Sequence, residues 1–280
     1  MKHGESSVLK VGCILLVALL FYALSLLPQP VQAQTVTATI PVGNNVAGNS
    51  AIDVAVTSNG DYAYVTNWYS GSVSVISTAT NTVTATIPVG LEPTGVAVTP
   101  NGAYTYVASE DERVSVINTT NTITANIVVG TVGGYSWYMA VTPNGEYVYD
   151  ANGESSTVSV ISTATNTVTA TISTPGTNLN PLSNPIGVAV TPNGAYVYVT
   201  NSESNLVSVI NTATNKVTAN IAGFNEPYGM AVAPNGAYVY VTNLYPTTVS
   251  VISTSNAITS TTPTPTASPS VSPLQLSRQL

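Results

Sequence analysis

The segment Val54-Ala-Val-Thr-Ser-Asn-Gly-Asp-Tyr-Ala-Tyr-Val-Thr-Asn67 occurs five times in this chain, returning at Val96, Met139, Val188 and Met230 with few changes. Its Asn-Gly pairs begin at Asn59, Asn101, Asn144, Asn193 and Asn235, at spacings of 42, 43, 49 and 42 residues. Val-Ser-Val-Ile follows each copy, starting at Val73, Val114, Val158, Val207 and Val249. A fourth element such as Val83-Thr-Ala-Thr-Ile87 or Val217-Thr-Ala-Asn-Ile221 closes the unit. A fixed period of this length marks a repeat architecture and is weighed before any single element.

Each unit holds four short segments of alternating apolar residues divided by turn residues, which predicts four strands. Asn-Gly between two such runs predicts a tight primed hairpin turn with positive φ at both central residues. The connections Thr78–Thr82 and Thr163–Thr167, both Thr-Ala-Thr-Asn-Thr, supply a second hairpin. No helical period is sustained after Gln34. Four strands per 40 to 45 residues is the blade period of a β-propeller. The expected fold is therefore all-β, a propeller of four-stranded antiparallel blades, with five blades closed into a ring. The alternative is part of a six- or seven-bladed ring. An extra fourth-strand copy, Val36-Thr-Ala-Thr-Ile40, is expected to close the ring on the last blade, whose own copy, Ala257–Thr261, is poorer.

Three copies carry Tyr-Val-Thr-Asn, at Tyr64–Asn67, Tyr198–Asn201 and Tyr240–Asn243, and two depart from it, Tyr106-Val-Ala-Ser109 and Tyr149-Asp-Ala-Asn152. Over residues 36–261 the chain resembles the YVTN-family β-propeller repeat. That family is similar to the propeller domains of archaeal surface-layer and surface-antigen proteins and occurs in exported bacterial proteins. The resemblance implies the fold and a surface setting; one architecture carries many roles, so it assigns no activity. Tyr-x-Tyr recurs in every second strand, from Tyr62/Tyr64 to Tyr238/Tyr240, which puts both rings on one face of the sheet. These rings are expected to wedge between blades. Asn67, Asn201 and Asn243 are expected to cap the following turn in a left-handed conformation.

The ends of the chain differ from its middle. Lys2 and Lys10 precede an apolar run from Val11 to Leu27, then Pro28, Pro30 and Val31-Gln-Ala33, the layout of a secretory signal peptide over residues 1–33. Retention of the run as a membrane anchor is the alternative, and the membrane is expected to be touched only there. The propeller is assigned to 34–261. A Ser/Thr/Pro tract fills 262–280 and reads as a disordered end or a spacer holding the propeller off a surface. The expected location is secreted or cell-surface.

Composition removes whole classes of chemistry. The net charge of −7 opposes nucleic acid binding. The only histidine, His3, and the only cysteine, Cys13, both precede Ala33. The exported chain would thus lack the usual general base, the commonest metal ligand and any disulfide. No catalytic residue, metal site or cofactor is assigned. Sorting loops by the rim they occupy collects both tryptophans and most acids on one side. Trp68, Tyr69, Glu110, Asp111, Glu112, Tyr135, Trp137, Tyr138, Glu154, Glu203, Tyr228 and Tyr245 form the candidate binding face, with Phe224, Glu92 and Glu226 on the same rim. Aromatic rings rimmed by acids fit recognition of a cell-surface protein or glycan. Glu110-Asp111-Glu112 lacks the spacing of a dedicated calcium loop and reads as a solvated hairpin tip, with Arg113 as a weak local partner. Asn118-Thr-Thr120 is the glycosylation acceptor after Ala33. The leading expectation is a structural or interaction module without catalysis. The alternative is a propeller enzyme of lactonase or lyase type, using carboxylates and a divalent cation.

Overall fold

The computed structural model of the protein describes residues 35–43, 50–130, 135–174 and 183–254. The signal-like run, Ala257–Thr261 and the Ser/Thr/Pro tract lie outside the described residues. The chain divides into two compact units, Met1–Thr39 and Ile40–Leu280. Within the first unit, residues 35–39 are exposed and carry no strand. The expected closing strand Val36–Ile40 is therefore not formed.

The second unit is all-β among its described residues. The first blade is β1 (Ala51–Val56), β2 (Tyr62–Asn67), β3 (Ser72–Ser77) and β4 (Thr82–Pro88); the second is β5 (Pro93–Val98), β6 (Tyr104–Ser109), β7 (Arg113–Asn118) and β8 (Ile123–Val128). The third is β9 (Ser136–Val141), β10 (Tyr147–Asn152), β11 (Thr157–Ser162) and β12 (Thr167–Ser173). The fourth is β13 (Pro185–Val190), β14 (Tyr196–Asn201), β15 (Leu206–Asn211) and β16 (Lys216–Ile221); the fifth holds three described strands, β17 (Pro227–Val232), β18 (Tyr238–Asn243) and β19 (Thr248–Ser253). Each sheet is an antiparallel meander in sequence order. The first strands of successive blades, β1, β5, β9, β13 and β17, lie side by side along the inner edge.

The Asn-Gly turns differ from expectation in one respect. Only the glycine has positive φ, from 70° to 76° at Gly60, Gly102, Gly145, Gly194 and Gly236. Gly60 N donates to Thr57 O at 2.8 Å and Thr57 N to Tyr62 O at 2.9 Å, which makes a four-residue loop rather than a two-residue primed turn. The asparagine serves through its side chain: Asn101 Oδ1 accepts from Ala103 N at 3.0 Å, and Asn193 and Asn235 do the same in their blades. Left-handed asparagines occur instead in the turn between third and fourth strands, at Asn81, Asn121, Asn166 and Asn215. Asn67, Asn201 and Asn243 end extended strands with their side chains buried. They tie the second strand to the third: Asn67 Nδ2 donates to Ser72 Oγ at 3.2 Å and Ser74 Oγ at 3.0 Å, and Asn243 repeats this with Thr248 and Ser250.

The core consists of four clusters, one per junction between neighbouring blades. In the first, Tyr64, Val73, Val75 and Ile87 of one blade meet Val96, Val107 and Ile117 of the next. Tyr106, Val114, Val116 and Ile127 repeat the pattern against Met139, Val148 and Ile161. Tyr149 and Tyr198 lead the other two. In the first four blades only the second ring of the Tyr-x-Tyr pair is fully wedged; the first stays partly open to solvent. The buried hydroxyls reach across the junction: Tyr106 Oη donates to Asn166 Oδ1 at 2.6 Å and Tyr149 Oη to Asn215 Oδ1 at 2.7 Å. Burial pushes both phenols up to about 12, so both remain donors.

The five blades are present, but the expected closure into a ring is not. Tyr240, Val249 and Val251 occupy the wedge positions of the fifth blade and are exposed, as are Ile52, Val54 and Val56 on the opposite face of the first. Among the described residues, nothing packs on these two terminal faces. Terminal sheet faces left open in this way are what an incomplete ring presents, in line with the six- or seven-bladed alternative.

Identical positions in different settings make a stability test. Tyr149→Phe removes the hydrogen bond to the half-buried Asn215 acceptor and should lower unfolding free energy by about 1 kcal/mol. Tyr240→Phe, at a ring with 45% exposure against 0% for Tyr149, should change it by less than about 0.5 kcal/mol. Urea unfolding of both variants in dilute solution checks this; equal losses would refute the wedge assignment.

Candidate functional site

The strand order puts the loops leading into each first strand and those leaving each second strand on one rim. Hydrogen bonds stitch the two sets together: Trp68 N to Ser50 O at 2.9 Å, Glu110 N to Leu91 O at 3.2 Å, Gly153 N to Tyr135 O at 2.7 Å and Leu244 N to Glu226 O at 3.1 Å. The candidate aromatic and acidic residues therefore share a rim, but they form three groups rather than one cluster.

The first group spans the first two blades. Trp68 and Tyr69 rings lie 4.6 Å apart at 53°, and the Trp68 indole Nε1 donates to Glu110 Oε1 at 3.1 Å. Glu110 also meets Glu92. Desolvation, the hydrogen bond that protonated Glu110 gives to Glu92 and that neighbour's like charge push Glu110 up to about 7, against the indole contact, which favours the ionised form. Asp111 lies 4.0 Å from Arg113 Nε, and its Oδ1 is buried without a partner. The acidic run is thus partly buried against neighbouring loops, not the solvated tip expected from sequence. Close approach of Asp111 and Ser109 to the chain at Gly90, where a Cβ would stand 2.7 Å from Asp111 Oδ1, explains why.

The second group pairs Tyr135 with Trp137, centroids 6.4 Å apart at 62°. Trp137 Nε1 crowds Gly153, where a Cβ would stand 2.6 Å away. The third lies on the inner strands. Tyr138 and Tyr228 meet edge to face at 6.3 Å, and Asp53 of the first blade is near enough to act on the Tyr138 charge. Burial, then Tyr228 and Asp53, push Tyr138 up to about 12. Asp53 is itself raised by burial although it accepts from Val96 N and Val54 N, each at 2.9 Å. Glu154 and Glu203 are exposed on the turns of the third and fourth blades, and Tyr245 on that of the fifth. Phe224 packs against the last core cluster, so it is structural. Asn118 Oδ1 accepts from Thr120 N, Thr122 N and Thr120 Oγ1, which makes this side chain a turn cap.

Sequence reasoning missed Asp53 and Asp150, although both break the repeat. Asp53 stands where other blades carry Gly95, Gly187 and Gly229; Asp150 stands where they carry Val65, Val107, Val199 and Val241. Asp150 is fully buried, accepts from Ser136 Oγ at 2.5 Å, and is pushed up to about 7 by desolvation, which that hydrogen bond opposes. In the orientation that satisfies its neighbours, the Asn152 amide donates to Asp150 Oδ2 at 3.0 Å. The opposite rim also holds more than expected. Two clefts of about 260 Å³ open there. One is lined by Asn59, Tyr62, Tyr64, Asn101 and Asn121, the other by Asn193, Tyr196, Tyr198 and Asn235. Among the described residues no three His, Cys, Asp or Glu side chains converge to hold a metal ion.

This architecture, repeated four-stranded sheets packed side by side around an inner edge, defines a β-propeller. Residues 23–225 match the family model described as the Choice-of-anchor I domain, and the chain belongs to that family. It is similar to a solved structure titled Kuenenia stuttgartiensis Hydrazine Synthase, with 24% identity and a TM-score of 0.63 over 75% of this chain and 59% of that one. A functionally unknown protein from Desulfotomaculum acetoxidans DSM 771 is similar at 19% identity and a TM-score of 0.60, covering 73% of this chain and 69% of its own. At these identities the likeness establishes the fold. Among curated proteins none matches the sequence. The family's name suggests a surface-anchored module.

Two titrations follow. Trp68 emission should change with a midpoint near pH 7 as Glu110 ionises, and Glu92→Gln should move that midpoint down by removing the like charge. An unshifted midpoint would separate the two carboxylates. Asp150 has a folded pKa of about 7 against an ordinary 3.8, so between those values the native chain holds a proton that the unfolded chain has released. Stability from this group is present at low pH and lost as pH rises from about 4 to 7. Asp150→Val should flatten that fall, seen as a larger gain in urea midpoint at pH 8 than at pH 4.

Proposed function

We propose that this protein is an exported, surface-displayed propeller that binds a cell-surface protein or glycan through its aromatic rim, without catalysis. The observation that carries this reading is the exposure of Tyr69, Tyr135 and Tyr245 on one rim, together with Trp68, Trp137 and a partly buried carboxylate pair. Tyrosine and tryptophan rings held at a rim give large amphipathic contact area with few torsions to immobilise. The spread over three groups suits an extended partner touching several blades. Membership of a choice-of-anchor family supports surface display, and the Tyr-Val-Thr-Asn motif supports a likeness to surface-layer propellers.

The test is binding of the purified protein to cell envelopes and to a glycan array. The wild type should bind saturably, and a Tyr69→Ala/Tyr135→Ala variant with unchanged melting should lose at least tenfold in affinity. Retained binding in that variant, or chelator-sensitive turnover of a lactone or polysaccharide, would overturn the proposal.

A further inference from the structure

The two uncovered end faces are opposite halves of one interface. At every internal junction, a Tyr-Val-Val face of one blade receives the inner-strand face of the next. Thus Tyr198, Val207 and Val209 are buried against the fifth blade, and Val96 and Val188 are buried on the receiving side. The fifth blade offers Tyr240, Val249 and Val251 with nothing on them, Val251 at 55% exposure. The first offers Ile52, Val54 and Val56, with Val54 at 59%.

The polar groups are left over in matching pairs. Tyr106 and Tyr149 donate to the left-handed asparagine one blade ahead. Tyr240 has no blade ahead of it. Asn81, which holds the same left-handed turn in the first blade, has no blade behind it to send a tyrosine hydroxyl. Thr66 Oγ1 donates to Thr94 O at 2.7 Å and Thr200 Oγ1 to Tyr228 O at 2.8 Å, each crossing to the next inner strand. Thr242, their counterpart in the fifth blade, turns back to Gly229 O in its own sheet at 3.2 Å. By repeat position the acceptor it would cross to is the Ile52 carbonyl. Fifth-blade and first-blade chemistry thus do not meet among the described residues, but both halves are fully specified.

We propose that these ends are a self-association surface: the fifth blade of one copy docks on the first blade of a second copy, continuing the blade stack. The occupant is another copy because the required surface is a repeat of this chain's own junction, with the Tyr240–Asn81 and Thr242–Ile52 pairs restoring the hydrogen bonds seen inside it. A second copy would meet these faces with the four internal junctions unchanged. Each incoming copy also brings a Val36–Ile40 segment with the sequence of the fourth strand that the described fifth blade lacks. Such a contact is heterologous, with different surfaces on the two partners, so it propagates until a ring closes or a filament forms.

That asymmetry supplies the test, made on the full chain by sedimentation velocity across a concentration series. The wild type should form a ladder of species growing with concentration. Val54→Asp spoils only the receiving face and Val251→Asp only the donating face; both sites are exposed, so each variant should keep its strand signal and sediment as a monomer. An equimolar mixture should yield a two-copy species and nothing larger, since one intact donating face meets one intact receiving face. Val56→Lys with Val249→Lys repeats the experiment at neighbouring positions. A wild type monomeric throughout, single variants that assemble like it, or a mixture that stays monomeric would each overturn the proposal.

Discussion

A tyrosine ring and two valines on the second and third strands of one blade, pressed onto the inner strand of the next, hold this protein together. The rest of the repeat serves that contact. Alternation puts Tyr149, Val158 and Val160 on one side of the sheet and Val148 and Ile161 on the other, so every internal blade donates through one face and receives through the other. The Tyr hydroxyl needs a partner once its ring is buried, and for Tyr106 and Tyr149 the left-handed asparagine between the third and fourth strands of the next blade provides it. With no disulfide available among the described residues and few ion pairs, the junction is the place where burial and polar satisfaction coincide.

The fold was legible because each of these contacts sits at a fixed offset inside a 42-residue unit, and five copies average out the noise of any one. Strand number, strand order and the wedge role of Tyr106 or Tyr198 follow from alternation alone. Local geometry was less legible. Asn-Gly specifies a turn, yet the choice between a primed two-residue turn and a four-residue loop depends on Thr57 bonding across the hairpin to Tyr62, and that pairing is set by register. Asn67 could cap a turn or bridge two strands; burial beneath the rim loops, which leaves Ser72 and Ser74 as its only donors' targets, selects the bridge. Closure was illegible for a different reason. The number of blades in a ring depends on the angle at each junction, and no residue pattern within a repeat states that angle.

The candidate site was half legible. Loop order alone puts Trp68, Trp137 and Glu110 on one rim, but their grouping depends on which loops touch, and Trp68 reaches Glu110 across blades. What repetition does supply is a baseline against which departures stand out. Asp53 and Tyr138 replace glycine at a point where the next inner strand passes so closely that a Cβ at Gly95 would stand 2.6 Å from Trp137 O. Asp150 replaces valine in the middle of a buried strand, and a lone carboxyl there is tolerated because it is protonated or bridged by Ser136 and Asn152.

The same baseline separates constraint from freedom in the rim turns. Their closing residue is left-handed in the four internal examples, Gly71, Glu112, Ser156 and Asn205, because the chain must reverse there to let the next strand pair. Glycine and asparagine adopt that conformation readily, whereas a glutamate does so at a cost of about 1–3 kcal/mol. Between the fixed ends, the turns read Trp-Tyr-Ser, Glu-Asp, Gly-Glu-Ser and Ser-Glu-Ser. The strands beneath are nearly identical and do not set these differences, apart from Gly153, which Trp137 crowds. The second blade therefore bears both a strained Glu112 and a carboxyl, Glu110, held near its ionisation point, neither of which the fold requires. A left-handed glutamate and a desolvated carboxyl thus fall in one turn, where the sequence departs from its neighbours more than the backbone beneath it does.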